Sequence, residues 1–205
     1  MYKLPYFTEP DRSNVIAFMR KNTFAVIAAM GHEYPVATQV PLDIKDEKEM
    51  IILTGHMMKG TDHHKALENN SNALVIFTGP QCYVSASWYT KPEIASTWNY
   101  ISVQVKGKIR FENEEGTRKI VENITNHYED SESSARFEAL PVDYVNRLVK
   151  AIIGFTIEVE SMENVFKLSQ NHHAETRKSI IDHLHKRGDD NSVFIAEEME
   201  KRMSL

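Results

Sequence analysis

The stretch "NYISVQVKGKIRF" constrains this chain more than any other. Tyr100, Ser102, Gln104, Lys106, Lys108 and Arg110 fall on one side of it, and Ile101, Val103, Val105, Gly107, Ile109 and Phe111 on the other. A period of two marks a strand with one buried face, because successive side chains point to opposite faces of a sheet. Gly107, lying in the apolar row, predicts a bend. Such a strand needs partners, and "FAVIAAM", "YPVATQVPLDI", "MIILTGH", "ALVIFTG" and "CYVSASWY" supply them. Together these make six strand candidates between about Phe24 and Glu112. Their connectors carry Gly, Pro, Asp, Asn or Glu, and "TGPQ" reads as a turn. So many strands manage their edges best in a closed or partly closed antiparallel barrel.

Helical patterns flank the strands. "TEPDRSNVIAFMRKN" reads as a first helix capped by Thr8, with Pro10 at an early position. "EEGTRKIVENITNHYE" and "PVDYVNRLVKAIIG" follow the strands, the second stopped by Gly154. "FTIEVESMENVFKLS" alternates again and returns to the sheet. The tail "HAETRKSIIDHLHKRGDDNSVFIAEEMEKRM" reads as two helices broken at "RGDDNS". Without a repeat or a low-complexity linker, the 205 residues read as a single α+β domain. Its barrel strands span 24–112, helices 116–153, a returning strand 154–170 and C-terminal helices 172–205.

Charge and composition exclude several functions. A formal net charge of −5 disfavours a sequence-independent grip on nucleic acid, which depends on Lys and Arg neutralising phosphates. Lys106, Lys108 and Arg110 form the nearest thing to a basic patch. No apolar run approaches the ~20 residues that span a bilayer. "MYKLPYFTEPDRSN" lacks the apolar segment of a secretory signal, and the single cysteine, Cys82, fits a reducing compartment. A cytoplasmic protein without a membrane partner is the expectation.

Three segments carry candidate chemistry. In "GHMMKGTDHHKAL" a strand ends in Lys59, Thr61, His63, His64 and Lys65 at a helix start, with His56 close by. Helix N-termini and basic side chains together suit an anion such as a phosphate. Tyr83, Trp88, Tyr89, Trp98 and Tyr100 form an aromatic cluster able to wall a planar ligand or fill a core. In "FKLSQNHH", Lys167, Ser169, Gln170 and Asn171 group polar side chains at a strand end, where amides can read a heterocycle edge or cap a helix. The nine histidines include no HExxH spacing, so no metal site is expected. No GxSxG elbow, P-loop or GxGxxG fingerprint is present, and Cys82 lies in an apolar strand rather than at a basic helix start.

Taken in order, "MYKLPYF", "GHMMKG…HHKAL", "FTGPQCYVSASWY", "TWNY" and "AIIGFTIEVESMENVFKLSQN" resemble the PaiB-type proteins, described as FMN-binding negative transcriptional regulators. The resemblance runs from Met1 to about Leu184. It implies an FMN-binding split β-barrel, a Greek-key antiparallel barrel with peripheral helices, similar to pyridoxine-phosphate oxidases and flavin reductases. It implies a homodimer with FMN where the subunits meet. Lys59, Thr61 and Lys65 would hold the phosphate with His56 nearby. Trp88, Trp98 and Asn99 would line the ring or the interface, and Ser169 and Gln170 would approach from the far end of the barrel. The chain departs from the family pattern at Lys59, where arginine is usual, at Asp62 (proline) and at His64 (tryptophan). Lysine keeps the charge but loses the bidentate fork, which implies FMN held weakly. Activity is expected to be flavin-dependent oxidoreduction or transcriptional repression, with no acid or base identifiable. Direct DNA contact is disfavoured, because the C-terminal helices carry Glu197, Glu198 and Glu200. Haem is the alternative cofactor, with His172, His173 or His183 as axial ligand.

Overall fold

The computed structural model describes residues 4–47, 50–91 and 95–203. Among the described residues seven strands form one sheet: β1 Phe24–Ala29, β2 Val36–Pro41, β3 Asp43–Glu47, β4 Met50–Met58, β5 Asn72–Val84, β6 Thr97–Phe111 and β7 Ile152–Lys167. Six helices accompany them: α1 Arg12–Lys21, α2 Asp62–Asn69, α3 Glu114–Tyr128, α4 Val142–Ala151, α5 Ala174–Arg187 and α6 Asp190–Lys201. The strand order is β2-β1-β5-β6-β7-β4-β3. β1 pairs antiparallel with β2 and β5, and β4 with β3 and β7. This is the expected mixed α+β class.

β6 carries its alternation through to the fold. Asn99, Ile101, Val103, Val105, Gly107 and Ile109 are buried, and the residues between them face outward. The parity that buries the valines therefore also buries Asn99.

Several elements differ from the sequence reading for identifiable reasons. "TGPQ" is no turn: β5 runs straight through it. Ala73, Val75 and Phe77 are buried before it and Cys82 and Val84 after it, so the inward face changes parity across Thr78–Gln81. A one-residue phase change exchanges the two faces of a strand, and the sequence shows it only as a break in alternation. "YPVATQVPLDI" splits at Leu42 into β2, which pairs with β1, and β3, which pairs with β4. "SASW" winds into a 3₁₀ turn, Ala86–Trp88, capped by Ser85. Thr8 does not cap α1. Asp11 does, its carboxylate accepting from the Ser13 N–H at 2.8 Å and the Ser13 hydroxyl at 2.7 Å. Gly154 does not stop α4, which ends at Ala151. It lies in β7, where its N–H donates to the Thr117 hydroxyl at 2.9 Å and a Cβ would stand 2.9 Å from the Thr117 Cα. Glycine is needed there for the approach of α3.

The chain gathers into two compact units: Met1–Phe18, Thr78–Val103 and Glu163–Leu205 form the first, and Met19–Phe77 and Gln104–Met162 the second. β5, β6 and β7 each contribute one part of their length to either unit. The second unit's core includes Ile27, Leu53, Phe77, Val105, Phe155 and Ile157, all fully buried. The first unit's core includes Val84, Val165, Leu168, Ile180, Leu184 and Ile195. The tail forms α5 and α6 with the break at Gly188–Asp189, as the sequence predicts.

Candidate functional site

In the second unit, β4 passes through Lys59 and Gly60 into α2. Gly60 takes φ +77, the left-handed conformation that lets the strand turn sharply into the helix. Thr61 caps α2: its hydroxyl accepts from the His64 N–H at 3.2 Å and donates to the Met58 carbonyl at 3.3 Å. The Asp62 carboxylate accepts from the His63 N–H at 2.8 Å, and the Lys65 N–H donates to the Thr61 carbonyl at 3.1 Å. The first-turn N–H groups at 63, 64 and 65 are thus bonded within the chain. What an anion can draw on is the exposed side chains of Lys59 and Lys65.

Three imidazoles lie under this turn. His56 has Nδ1 buried without a partner, and burial pushes its pKa down. His63 is 3 % exposed with both ring nitrogens unpartnered, and burial again lowers its pKa. His64 accepts from the Gly60 N–H through Nδ1 at 3.3 Å, leaves Nε2 unpartnered, and meets Phe111 edge-on at 4.9 Å. Among the described residues, no three His, Cys, Asp or Glu side chains are placed to hold a metal.

The first unit contains a pocket of about 310 Å3, on whose wall stand Tyr6, Tyr89, Thr97, Asn99, Lys167 and His172. Lys167, at the end of β7, donates to the Thr97 hydroxyl at the start of β6, and burial lowers its pKa. The His172 ring lies 4.8 Å from the Tyr89 ring, tilted by 32°. Burial first, then His173 and Lys167, hold His172 below its ordinary pKa. The Tyr89 hydroxyl is buried with no partner, and burial raises its pKa. A buried polar group left unpaired costs about 1–3 kcal/mol, so the Tyr89 hydroxyl, on the same wall as the partly buried Lys167 and His172, is a candidate for ligand contact.

The pocket floor is fixed by a buried pair. The Ser169 hydroxyl donates to Asn99 Oδ1 at 3.1 Å, and Asn99 Nδ2 donates to the Met199 sulfur at 3.5 Å. Ser169 also lines the pocket. Its φ is +61, and among the described residues no other non-glycine has a positive φ. Gln170 holds the turn rather than facing the cavity: Oε1 accepts from the Leu168 N–H at 2.7 Å, and Nε2 donates to the Phe166 carbonyl.

Of the nine residues singled out from the sequence, His56, Lys59, Thr61 and Lys65 belong to the second unit. Trp88, Trp98, Asn99, Ser169 and Gln170 belong to the first. Asn99 and Ser169 meet. Trp88 is held by α5, stacked on His183 at 5.0 Å with the Arg187 guanidinium 4.7 Å over its ring. Trp98 is 54 % exposed and touches Tyr83 edge-on at 6.0 Å. Sequence reasoning named Tyr89 in the aromatic cluster, Lys167 in the polar group of "FKLSQNHH" and His172 as a haem ligand, but did not bring the three together on one wall.

A larger cleft of about 440 Å3 lies in the second unit beside Arg20, Asp43, Asn126 and Tyr128. Most of its polar groups already have partners. Tyr128 and Thr23 share a hydroxyl bond of 2.7 Å, Asn126 holds Glu138 and the Phe137 N–H, and Arg20 reaches the Ile44 carbonyl. Cys82 is buried in β5, its thiol pushed up to about 11 by burial, which leaves it inert as a nucleophile.

A family model described as "Putative FMN-binding domain" matches residues 1–161. The chain belongs to this family. Protease synthase and sporulation protein PAI 2 of Bacillus subtilis is 28 % identical to it over 204 residues, 99 % of this chain and 98 % of the relative. An uncharacterized protein of Emericella nidulans is 31 % identical over 183 residues, 74 % of this chain and 73 % of that one. Among solved structures, the flavocytochrome Anf3 of Azotobacter vinelandii matches with a TM-score of 0.62 at 16 % identity, over 81 % of this chain and 72 % of that one. The FAD and heme binding protein of Mycobacterium smegmatis matches with a TM-score of 0.60 at 15 % identity, over 84 % and 78 %. At such identities the two structures speak for the fold, the split β-barrel that the sequence resemblance implied. Membership of the FMN-binding family makes this a PaiB-type protein with FMN as its cofactor.

Proposed function

We propose that FMN is held through its phosphate by Lys59 and Lys65, from the turn that Thr61 caps, and that the protein works as a homodimeric flavoprotein in the cytoplasm. One observation carries the phosphate assignment: the Lys59 and Lys65 side chains extend from a tight capped turn, with the unpartnered Nδ1 of His56 buried at the strand end. The donor set fits a phosphate monoester, since two ammonium groups supply charge that an internally capped helix no longer adds. When bound, FMN supplies hydride and electron chemistry, while the chain's own groups bind, orient and exclude water. Because β5, β6 and β7 are continuous, the two units are read as one working domain.

The test is a titration of apo-protein at micromolar concentration, followed by flavin fluorescence. FMN gives a saturable change, and Lys59→Ala with Lys65→Ala weakens it by about tenfold or more. Riboflavin, lacking the phosphate, binds wild type and variant alike. No saturable change with FMN would overturn the assignment.

Regulation of transcription is proposed to act through the flavin state or a partner protein rather than through DNA contact. The basic row on β6 is partly neutralised, with Lys108 3.7 Å from Glu160 and Arg110 3.6 Å from Glu112. Haem is the second reading, favoured by His172 on a pocket wall. A Soret band on adding haemin that vanishes in His172→Ala would establish it.

A further inference from the structure

The first unit's pocket has chemistry that a phosphate turn elsewhere leaves unexplained. Among the described residues no Asp, Glu or Arg stands on its wall, and one ammonium, that of Lys167, is the fixed cation there. Around Lys167 are hydroxyl donors from Thr97, Ser96 and Tyr89 and the amide of Asn171. The remaining wall is ring surface: Tyr6 and Phe7 meet edge-on at 4.5 Å, and Tyr89 packs on His172. About 310 Å3 is near the small end of ligand sites.

We propose that this pocket binds a small organic monocarboxylate with a planar apolar body. Its carboxylate is taken by Lys167 and the Tyr89 hydroxyl, and its body lies against the Tyr89 and His172 rings. A single ammonium suits one negative charge. A phosphate dianion would call for a second cation, and among the described residues the wall has none. The Tyr89 hydroxyl, buried and unpartnered, gains an acceptor when the carboxylate arrives.

The site also predicts a linkage. Burial disfavours the charged forms of Lys167 and His172, and nearby Lys167 adds to the effect on His172. His173, the adjacent ionisable group on the same turn, adds to the effect on His172, and among the described residues no carboxylate on the wall offsets it. A bound anion favours both charged forms, so binding takes up protons near neutral pH and weakens as pH rises. The inference concerns the first unit alone and requires FMN to be held outside this pocket.

The experiment is titration calorimetry of the full chain with benzoate, with benzyl alcohol as the uncharged counterpart and inorganic phosphate as the competing anion. It is run in buffers of different ionisation enthalpy, with and without FMN. Benzoate is expected to bind at about pH 7 with net proton uptake and more weakly at about pH 9. Lys167→Met weakens it by about tenfold or more. Tyr89→Phe, which removes one hydroxyl and little packing, weakens it less. His172→Gln removes most of the proton uptake near neutral pH. Circular dichroism melts of each variant separate lost binding from lost folding, and Tyr89→Phe keeps the test open if Lys167→Met fails to fold. Equal binding of benzyl alcohol, preference for phosphate, unchanged benzoate affinity in both wall variants, or no benzoate binding would each overturn the proposal. Competitive displacement of benzoate by FMN would overturn it too, by assigning the pocket to the flavin. A failed FMN titration beside successful benzoate binding would count against the flavin assignment and leave this one standing.

Discussion

Ser169 is the residue where local strain and function meet. A non-glycine side chain in the left-handed region costs about 1–2 kcal/mol, and Ser169 is held there at φ +61 by its bond to Asn99 and by the Gln170 side chain bracing the same turn. Ser169→Ala keeps the strain and leaves Asn99 Oδ1 without its donor, so it is expected to lose about 1–3 kcal/mol in urea unfolding. Ser169→Gly loses the same bond but relieves the strain, and is expected to be about 1 kcal/mol more stable than the alanine variant. Equal or reversed stabilities would show that the conformation is unstrained. His63 carries a pH prediction of a different kind. Its buried, unpartnered ring has a folded-state pKa below the ordinary value. The unfolded chain therefore binds a proton that the folded one resists, and stability is complete above about pH 6.5 and falls below it. His63→Leu is expected to flatten that acid limb, as read from melts at a series of pH values, and an unchanged limb would assign it to other groups.

At the scale of elements, the tight joint is β6 against β7. A Cβ at Gly107 would stand 2.2 Å from the Glu158 carbonyl oxygen and 2.9 Å from Ile157. Backbone cannot move aside as a flexible side-chain tip can, so Gly107→Ala is expected to cost about 3 kcal/mol in chemical denaturation. A loss no greater than that of an ordinary surface substitution would mean that the strands can part at little cost. The alternating row from Ile101 to Ile109 was fully legible in the sequence because it needs only a period of two and a sheet to cover it. Gly107 was legible as special but not in its cause: the sequence suggested a bend, and the structure shows a close approach. Gly154 repeats the lesson, since a glycine after a helical pattern looks like a stop until α3 is seen against it. The phase change in β5 was hidden for the same reason: glycine and proline next to each other signal a turn locally, and only the neighbouring strands decide that the chain runs on.

For the whole molecule, cofactor binding is a stability statement. FMN that binds the folded chain and not the unfolded one, at about one hundred times its Kd, is expected to stabilise by about 2.7 kcal/mol, visible as a rise in Tm. Sedimentation is expected to give twice the chain mass; a monomer at all concentrations would remove the dimer from the proposal. The net charge of −5 and the ion pairs along the β6 row predict no sequence-independent shift of DNA in a gel at about physiological salt. Among the described residues no helix is long and apolar enough to cross a membrane.

By itself the sequence determined the class of fold, the strand-rich middle, the paired C-terminal helices and the residue types able to meet a phosphate. Those follow from periodicity, composition and short motifs, which act over a few residues. Only the tertiary structure decided that Lys167, Tyr89 and His172 share a pocket, that Asn99 and Ser169 bond across 70 positions, that Gln170 braces the turn beside them, and that Trp88 packs on α5. Proximity between distant segments is set by strand pairing and by which face each strand buries. A single misplaced phase, as at Thr78–Gln81, is enough to send a side chain to the opposite side of the sheet.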